Sequence, residues 1–252
     1  MNTQPSEDKK LRQGQKTLSP EYSAAFADQP ATPPSGGDFH DEFVLNPPDE
    51  NSGDRIAVVI GDVAGHGPEQ ALQAEHMREL LSDCLTVGLT PAETLSAVNA
   101  MIEPDPNFEG FGTVFVGTLE PGTGTLTYAS GGHEPALIMP ADAADPDAVL
   151  ELDGTGPPVG AFPPEMSRFE QHQATLPPGG TLLLYTDGVS DAHPPQSRLD
   201  WLGLPRLKSL LVSLAFLPPR RLVLRLLRRV AAFCRGEFQD DVAVIAVRRT
   251  KK

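Results

Sequence analysis

Phe111 to Ile138 reads FGTVFVGTLEPGTGTLTYASGGHEPALI, and this stretch decides the fold class. Thr113 to Leu119 and Leu126 to Ala129 are short runs rich in Val, Phe, Thr and Tyr, and the turn Pro121-Gly122-Thr123-Gly124 stands between them. Two such runs joined by a short Gly-rich turn predict a hairpin of antiparallel strands. Working outward, Ala136 to Met139 adds a strand, Glu21 to Asp28, Phe43 to Leu45 and Arg55 to Ile60 precede it, and Thr181 to Thr186 and Val242 to Val247 follow. Further turn signals stand at Ala31 to Gly37 (ATPPSGG) and Asn51-Ser52-Gly53.

Helical periodicity is confined to a few segments. Ala71 to Val87 carries Ala74, Met77, Leu81 and Cys84 at spacings of three and four, which predicts one buried face. A second helix opens at Thr90-Pro91 with Leu95, Val98 and Ile102 on one side. A third runs from about Leu204 to Leu217, and a fourth from Arg220 to Phe233 after the Pro218-Pro219 break. Hairpin strands interrupted by paired helices are not the regular alternation of a parallel sheet, so the class is α+β, with helices packed on antiparallel sheets. Residues 1–20 lack an apolar period and are expected to form a mobile tail; residues 21–252 form one domain. Ala141 to Asp147 and Gly154 to Pro164 are expected to be surface loops within it.

The chain has 252 residues and a net charge of -14, which argues against a general role on nucleic-acid backbones. No uninterrupted apolar run approaches the ~20 residues of a membrane span, and the opening MNTQPSEDKK is not a secretory signal, so a cytoplasmic location without membrane contact is expected. Cys84 and Cys234 have no ligand spacing and are expected to be buried free thiols.

The chemistry points to carboxylates at strand ends, Asp38 in GGD, Asp62 in GDVAGHG and Asp187 in TDG beside glycine, together with the pair Asp240-Asp241. Each alone is compatible with ordinary turn chemistry. If they converge, carboxylates about 4 Å apart repel by ~4 kcal/mol at an effective dielectric near 20 and require cations. Oxygen ligands favour Mg2+ or Mn2+ over zinc.

The blocks GGDFHDEF, VVIGDVAGHG, the stretch quoted first, GPPVGAF, LPPGGTLLLYTDGVSDA and QDDVAVIAVR occur in order from Gly36 to Arg248. With them the sequence resembles the metal-dependent serine/threonine protein phosphatases (2C-type superfamily), in the bacterial branch of the stage II sporulation protein E and sigma-factor regulatory phosphatases. The resemblance implies a four-layer αββα sandwich with two central antiparallel sheets and a pair of Mn2+ or Mg2+ ions at one end. It implies metal-ligand roles for Asp38, Asp62, the carbonyl of Val63, Asp187 and Asp240, with Asp241 close by, and a catalytic part for Asp62. The implied reaction is hydrolysis of phosphoserine or phosphothreonine by metal-activated water. The implied partner is a phosphorylated protein substrate, an anti-sigma factor antagonist in a partner-switching pathway.

His66, in the GDVAGHG turn, is either a catalytic cation near the phosphate or a turn histidine; His133 is expected to make a structural hydrogen bond. His40, His76, His172 and His193 are expected at the surface. Ala243 stands where the family usually has Thr or Ser. Family members often carry a sensor domain ahead of this one, and the short stretch here sets the expectation of control without a built-in sensor. Two rival readings are a catalytically silent phosphoprotein-binding module and a two-metal hydrolase of small phosphate esters.

From Arg198 to Arg235 there are nine basic residues and one acid, leaving the remainder of the chain at -22. In Arg220 to Phe233 the apolar stripe Leu222, Leu226, Val230, Phe233 predicts a flanking helix with its arginines outward, available to an acidic partner or surface.

Overall fold

Alternation along single strands divides this chain into layers. In the last strand Val242, Val244 and Ala246 join one apolar cluster while Ala243, Ile245 and Val247 join another, because successive side chains leave a strand on opposite faces. Ile56, Val58 and Ile60 likewise face inward, and Ala57, Val59 and Val63 face a third cluster. A strand apolar on both faces must be covered twice, which requires the helices predicted from the periodicity.

The structure is a computed structural model that describes residues 11–31, 36–45, 54–106 and 108–251. One sheet contains β1 (Arg12–Thr17), β2 (Tyr22–Gln29), β7 (Ala136–Met139), β8 (Leu150–Leu152), β10 (Thr181–Tyr185) and β11 (Val242–Arg249), in the order β1-β2-β11-β10-β7-β8. The other contains β3 (Asp38–Leu45), β4 (Arg55–Val63), β5 (Gly112–Leu119), β6 (Thr125–Gly131) and β9 (His172–Thr175), in the order β3-β4-β5-β6-β9. Every pairing between these strands is antiparallel. The first sheet carries α4 (Gly203–Ser213) and α5 (Pro219–Phe233) on its outer face, and the second carries α1 (Pro68–Thr86) and α2 (Pro91–Ile102). The expected αββα sandwich is therefore observed.

Helix starts follow from their sequences. At α2, Thr90 Oγ1 accepts from the Glu93 N–H and Glu93 Oε2 accepts from the Thr90 N–H, so the two residues satisfy each other's free donors, and Pro91 occupies the first turn. α5 likewise opens on proline, after Pro218 in extended conformation. Both cysteines are buried and unpaired. Among the described residues no helix is long and apolar enough to cross a membrane.

Three expectations are corrected. The proposed tail of residues 1–20 does not hold for 12–17, which pair in register with Ser23 to Asp28 as an edge strand. The edge strands β8 and β9 are not predicted: β8 has only three residues, and β9 has little apolar content. His40 is not a surface residue: its Nε2 lies 3.0 Å from Asp28 Oδ1 and its Nδ1 3.3 Å from Glu42 Oε2, joining the two sheets. Burial alone would lower its pKa, but the bonds to Asp28 and Glu42 prevail and raise it to about 9. The turn signal at Asn51-Ser52-Gly53 and the centre of the one at 31–37 lie outside the described residues.

Candidate active site

Four chain segments meet at one end of the sandwich. In the β3–β4 ladder Asp38 is directly opposite Asp62, so register alone sets these two carboxylates side by side. Gly37, just before, has no room for a side chain: a Cβ there would run into Asp62 Oδ1 and the Val63 carbonyl oxygen. From the other sheet, β10 ends at Tyr185, and Asp187 opens the single turn α3 (Asp187–Ser190). Asp240 and Asp241 immediately precede β11. Gly188 permits the contact between these last two segments, since a Cβ would strike the Asp241 carbonyl.

The electrostatics place the carboxylates in one neighbourhood. Burial, then the charge of Asp62, raises Asp38 well above the usual carboxylate range, against a hydrogen bond from Thr186 that lowers it; Asp241 and Asp187 raise it further. Asp62 is pushed up to about 7 by burial and by Asp187, Asp240 and Asp241. Asp187 is pushed up to about 6 by burial, then by Asp240, Asp191 and Glu134. Asp187 Oδ1 is buried without a hydrogen-bond partner. An oxygen in that position has lost water and gained nothing within the chain, at a typical cost of about 1–3 kcal/mol. Among the described residues no three His, Cys, Asp or Glu side chains are drawn tightly enough to hold an ion as they stand. The mutually repelling carboxylates share a neighbourhood without closing on one point.

The neighbouring pair Asp240-Asp241 divides its tasks. Asp241 Oδ1 accepts from the Ala31 N–H at 2.5 Å and its Oδ2 from the Gly36 N–H at 2.6 Å, so it clasps both ends of the segment entering β3. Asp240 Oδ1 accepts from the Asp241 N–H at 2.8 Å, and its charge acts on both Asp62 and Asp187. Thr186, given no role from the sequence, is fully buried; its hydroxyl donates to Asp38 Oδ2 at 2.7 Å and accepts from the Ala243 N–H at 2.9 Å. One hydroxyl thus fastens a strand-end carboxylate of one sheet to the other, beside the position where the usual Thr or Ser is Ala243. A hydroxyl directly before a strand-end Asp is the signal that would have found it. Glu134, also missed, accepts from Ser190 Oγ at 3.1 Å and raises Asp187.

His66 is exposed in the turn from β4 to α1, between Gly65 and Gly67 at φ 116° and 113°. It does not figure among the charges acting on Asp38, Asp62 or Asp187. His133 is buried with Nδ1 3.0 Å from Thr113 Oγ1, and burial lowers its pKa to about 4, which keeps it neutral at pH 7. A cleft of about 810 Å³ opens between the sheet edges beside the site. Asp38 and Asp241 line it with Arg12, Asp28, His40 and Arg78, whereas Asp62, Asp187 and Asp240 do not.

Two antiparallel sheets between helix pairs, with acidic strand ends converging from both, define the phosphatase 2C class of fold. The PP2C phosphatase domain of SpoIIE from Bacillus subtilis superposes with a TM-score of 0.70 at 18% identity, over 96% of this chain and 65% of that one. The family model described as Stage II sporulation protein E (SpoIIE) matches residues 52–250, and the chain belongs to that family. Phosphoserine phosphatase RsbP of Bacillus subtilis is 29% identical over 141 residues, which cover 54% of this chain and 34% of RsbP. The crystal structure of the RsbU and RsbW domains of Rv1364c from Mycobacterium tuberculosis matches with a TM-score of 0.69 and 29% identity, over 86% of this chain and 57% of that one. The chain spans between 34% and 56% of the length of the curated relatives it matches.

Proposed function

We propose that the chain is a metal-dependent protein phosphatase that hydrolyses phosphoserine or phosphothreonine. The observation that carries this reading is the gathering of Asp38, Asp62, Asp187 and Asp240 from both sheets, with an unpartnered buried oxygen on Asp187. A fold keeps several buried carboxylates in mutual repulsion when a cation relieves it. The all-oxygen donor set suits Mn2+ or Mg2+. Asp62 would serve both ions of a pair, the Val63 carbonyl and Asp38 one of them, and Asp187 with Asp240 the other. Bound there, a divalent pair supplies an activated water and neutralises phosphoryl oxygens.

The chain's own residues prepare that site. Thr186 fixes the orientation of Asp38, and the clasp of Asp241 on the Ala31 and Gly36 N–H groups holds the entry to β3. Asp241 thereby serves as a support for the ligand Asp240. His66, exposed at the rim, is free to give a proton to the departing serine or threonine oxygen. For the substrate we propose a phosphorylated anti-sigma factor antagonist. The name of RsbP as a phosphoserine phosphatase supports the residue class acted on.

The test is release of phosphate from a phosphoserine peptide with Mn2+, Mg2+ or EDTA present. Release with either metal and none with EDTA is expected. A chain inactive with every metal, yet binding the phosphopeptide, would be a silent binding module; turnover of p-nitrophenyl phosphate but of no phosphopeptide would make it a small-ester hydrolase. His66→Gln is expected to slow turnover of the phosphopeptide while leaving Mn2+ affinity unchanged; unchanged turnover would leave His66 a turn residue.

A further inference from the structure

Helix α5 carries Arg220, Arg221, Arg225, Arg228 and Arg229 and no acidic residue. Its Leu222, Val223, Leu226, Leu227 and Val230 are buried against the first sheet, while Arg221, Arg225, Arg228 and Arg229 are exposed. Arg221 and Arg225 are four positions apart, as are Arg225 and Arg229, and Arg225 and Arg228 are three apart; like charges at these spacings destabilise a helix. Arg220 and Arg221 also sit in the first turn, where the positive end of the helix dipole disfavours them. Among the described residues none of Arg221, Arg225, Arg228 and Arg229 forms an ion pair, whereas Arg78 of α1 and Arg206 of α4 both do.

These arginines border a groove. Leu217, Arg221, Leu224, Arg225 and Arg228 line a depression of about 240 Å³, and Phe216 beside it is 80% exposed. Arg248, near the end of β11 remote from Asp241, donates to the carbonyls of Leu217 and Ala215, which places this groove apart from the acidic end.

We propose that the groove is a docking surface for an acidic amphipathic helix of a partner protein. Arginine forks take carboxylates in bidentate pairs, and Leu217, Leu224 and Phe216 offer contact to apolar side chains spaced between them. Charge complementarity selects the partner: this is a concentrated positive patch on a chain of net charge -14, so an acidic surface is attracted here and repelled elsewhere. A bilayer is a poorer match, because the apolar stripe of α5 is already spent on the sheet and cannot enter acyl chains.

The probe is a fluorescein-labelled, 20-residue helical peptide with Leu at alternating spacings of three and four and Glu at most other positions, titrated with the full chain by anisotropy. Saturable binding is expected, weakened about 10-fold or more by Arg221→Glu/Arg225→Glu/Arg228→Glu combined and about 3-fold by the milder Arg225→Gln. The triple variant is expected to melt cooperatively near the parent's temperature, since the pairs 221–225 and 225–228 stay like-charged and only 225–229 turns attractive; that transition also shows that it folds. Turnover of p-nitrophenyl phosphate with Mn2+ should be the same in all three proteins, so the docking surface and the phosphatase activity succeed or fail separately. Absence of binding, equal binding by the Arg225→Gln variant, or equal binding of a Glu/Ala peptide without leucine overturns the proposal. So does co-sedimentation with phosphatidylglycerol vesicles when the peptide does not bind.

Discussion

The acidic end of the sandwich and the arginine face of α5 both assemble like charges, yet only one is under strong electrostatic stress. The carboxylates of Asp38, Asp62 and Asp187 are raised chiefly by burial, with their neighbours' charges second. The arginines stand in water, where each repulsion is a few tenths of a kcal/mol. Like-charge clustering alone therefore does not mark a catalytic centre. Desolvation turns it into a large free energy that a bound ion can recover.

The largest effect expected from this contrast follows removal of a buried acid. Asp62→Ala or Asp187→Ala should lower phosphopeptide turnover by more than the 10–100-fold typical of losing only an outer partner of a metal ligand, with the circular dichroism spectrum of a folded protein retained. Near-normal turnover in either variant would remove that residue from the ligand set. The same variants should be more stable than the parent in EDTA.

That second expectation has a pH signature. The pKa values of Asp62 and Asp187 in the fold, about 7 and about 6, lie above their ordinary value of 3.8. The folded state then binds protons more tightly than the unfolded chain, so its stabilising contribution is full below about pH 4 and is lost as pH rises through 6 to 7. In EDTA the melting temperature should fall across that window, by the equivalent of several kcal/mol if Asp62 acts alone, and Mn2+ should restore it. A flat profile in EDTA, or one that Asp62→Asn leaves unchanged, would mean that the acidic end is no more stressed than the arginine face.

How much of this was legible in the sequence depends on whether a residue's environment is local. The strand-end aspartates stand out because Asp38, Asp62 and Asp187 each adjoin a glycine and most adjoin an apolar run, and β4, β5, β10 and β11 are apolar enough to read directly. β1 and β9 are not, because RQGQKT and HQAT are largely exposed edge strands whose place is set by the neighbour's backbone. His40 was misread for a related reason: its burial comes from Asp28 on the facing sheet as well as from Glu42. The role of Thr186 leaves only a weak local signal, the hydroxyl just before Asp187, because its partner Asp38 is 148 positions away. The ligand candidates could be picked out one by one, whereas the residues that orient them appear only when the two sheets are stacked.

Thr186 offers an effect of intermediate size. Its hydroxyl is the direct link from Asp38 to the other sheet, so Thr186→Val, nearly the same shape, should weaken Mn2+ binding by calorimetry about 10–100-fold, while Thr186→Ser should stay near the parent. Equal affinity in Val and Ser variants would show that Asp38 is oriented by its β3–β4 ladder alone.

The smallest effect comes from the exposed side of the comparison, and it is the sharpest on burial. Raising ionic strength from 0.1 M to 1 M shortens the screening length from about 10 Å to about 3 Å. Repulsion among Arg221, Arg225 and Arg228 should be screened and that among Asp38, Asp62 and Asp187 largely retained. With EDTA present, the stabilisation gained by Arg225→Gln, a few tenths of a kcal/mol by the spacing rule, should vanish in 1 M NaCl, and that gained by Asp62→Asn should persist. The readout is the difference in melting temperature between each variant and the parent at the two salt concentrations. If salt erased both gains equally, the carboxylates would be as well solvated as the arginines, and burial would not separate the two ends of the molecule.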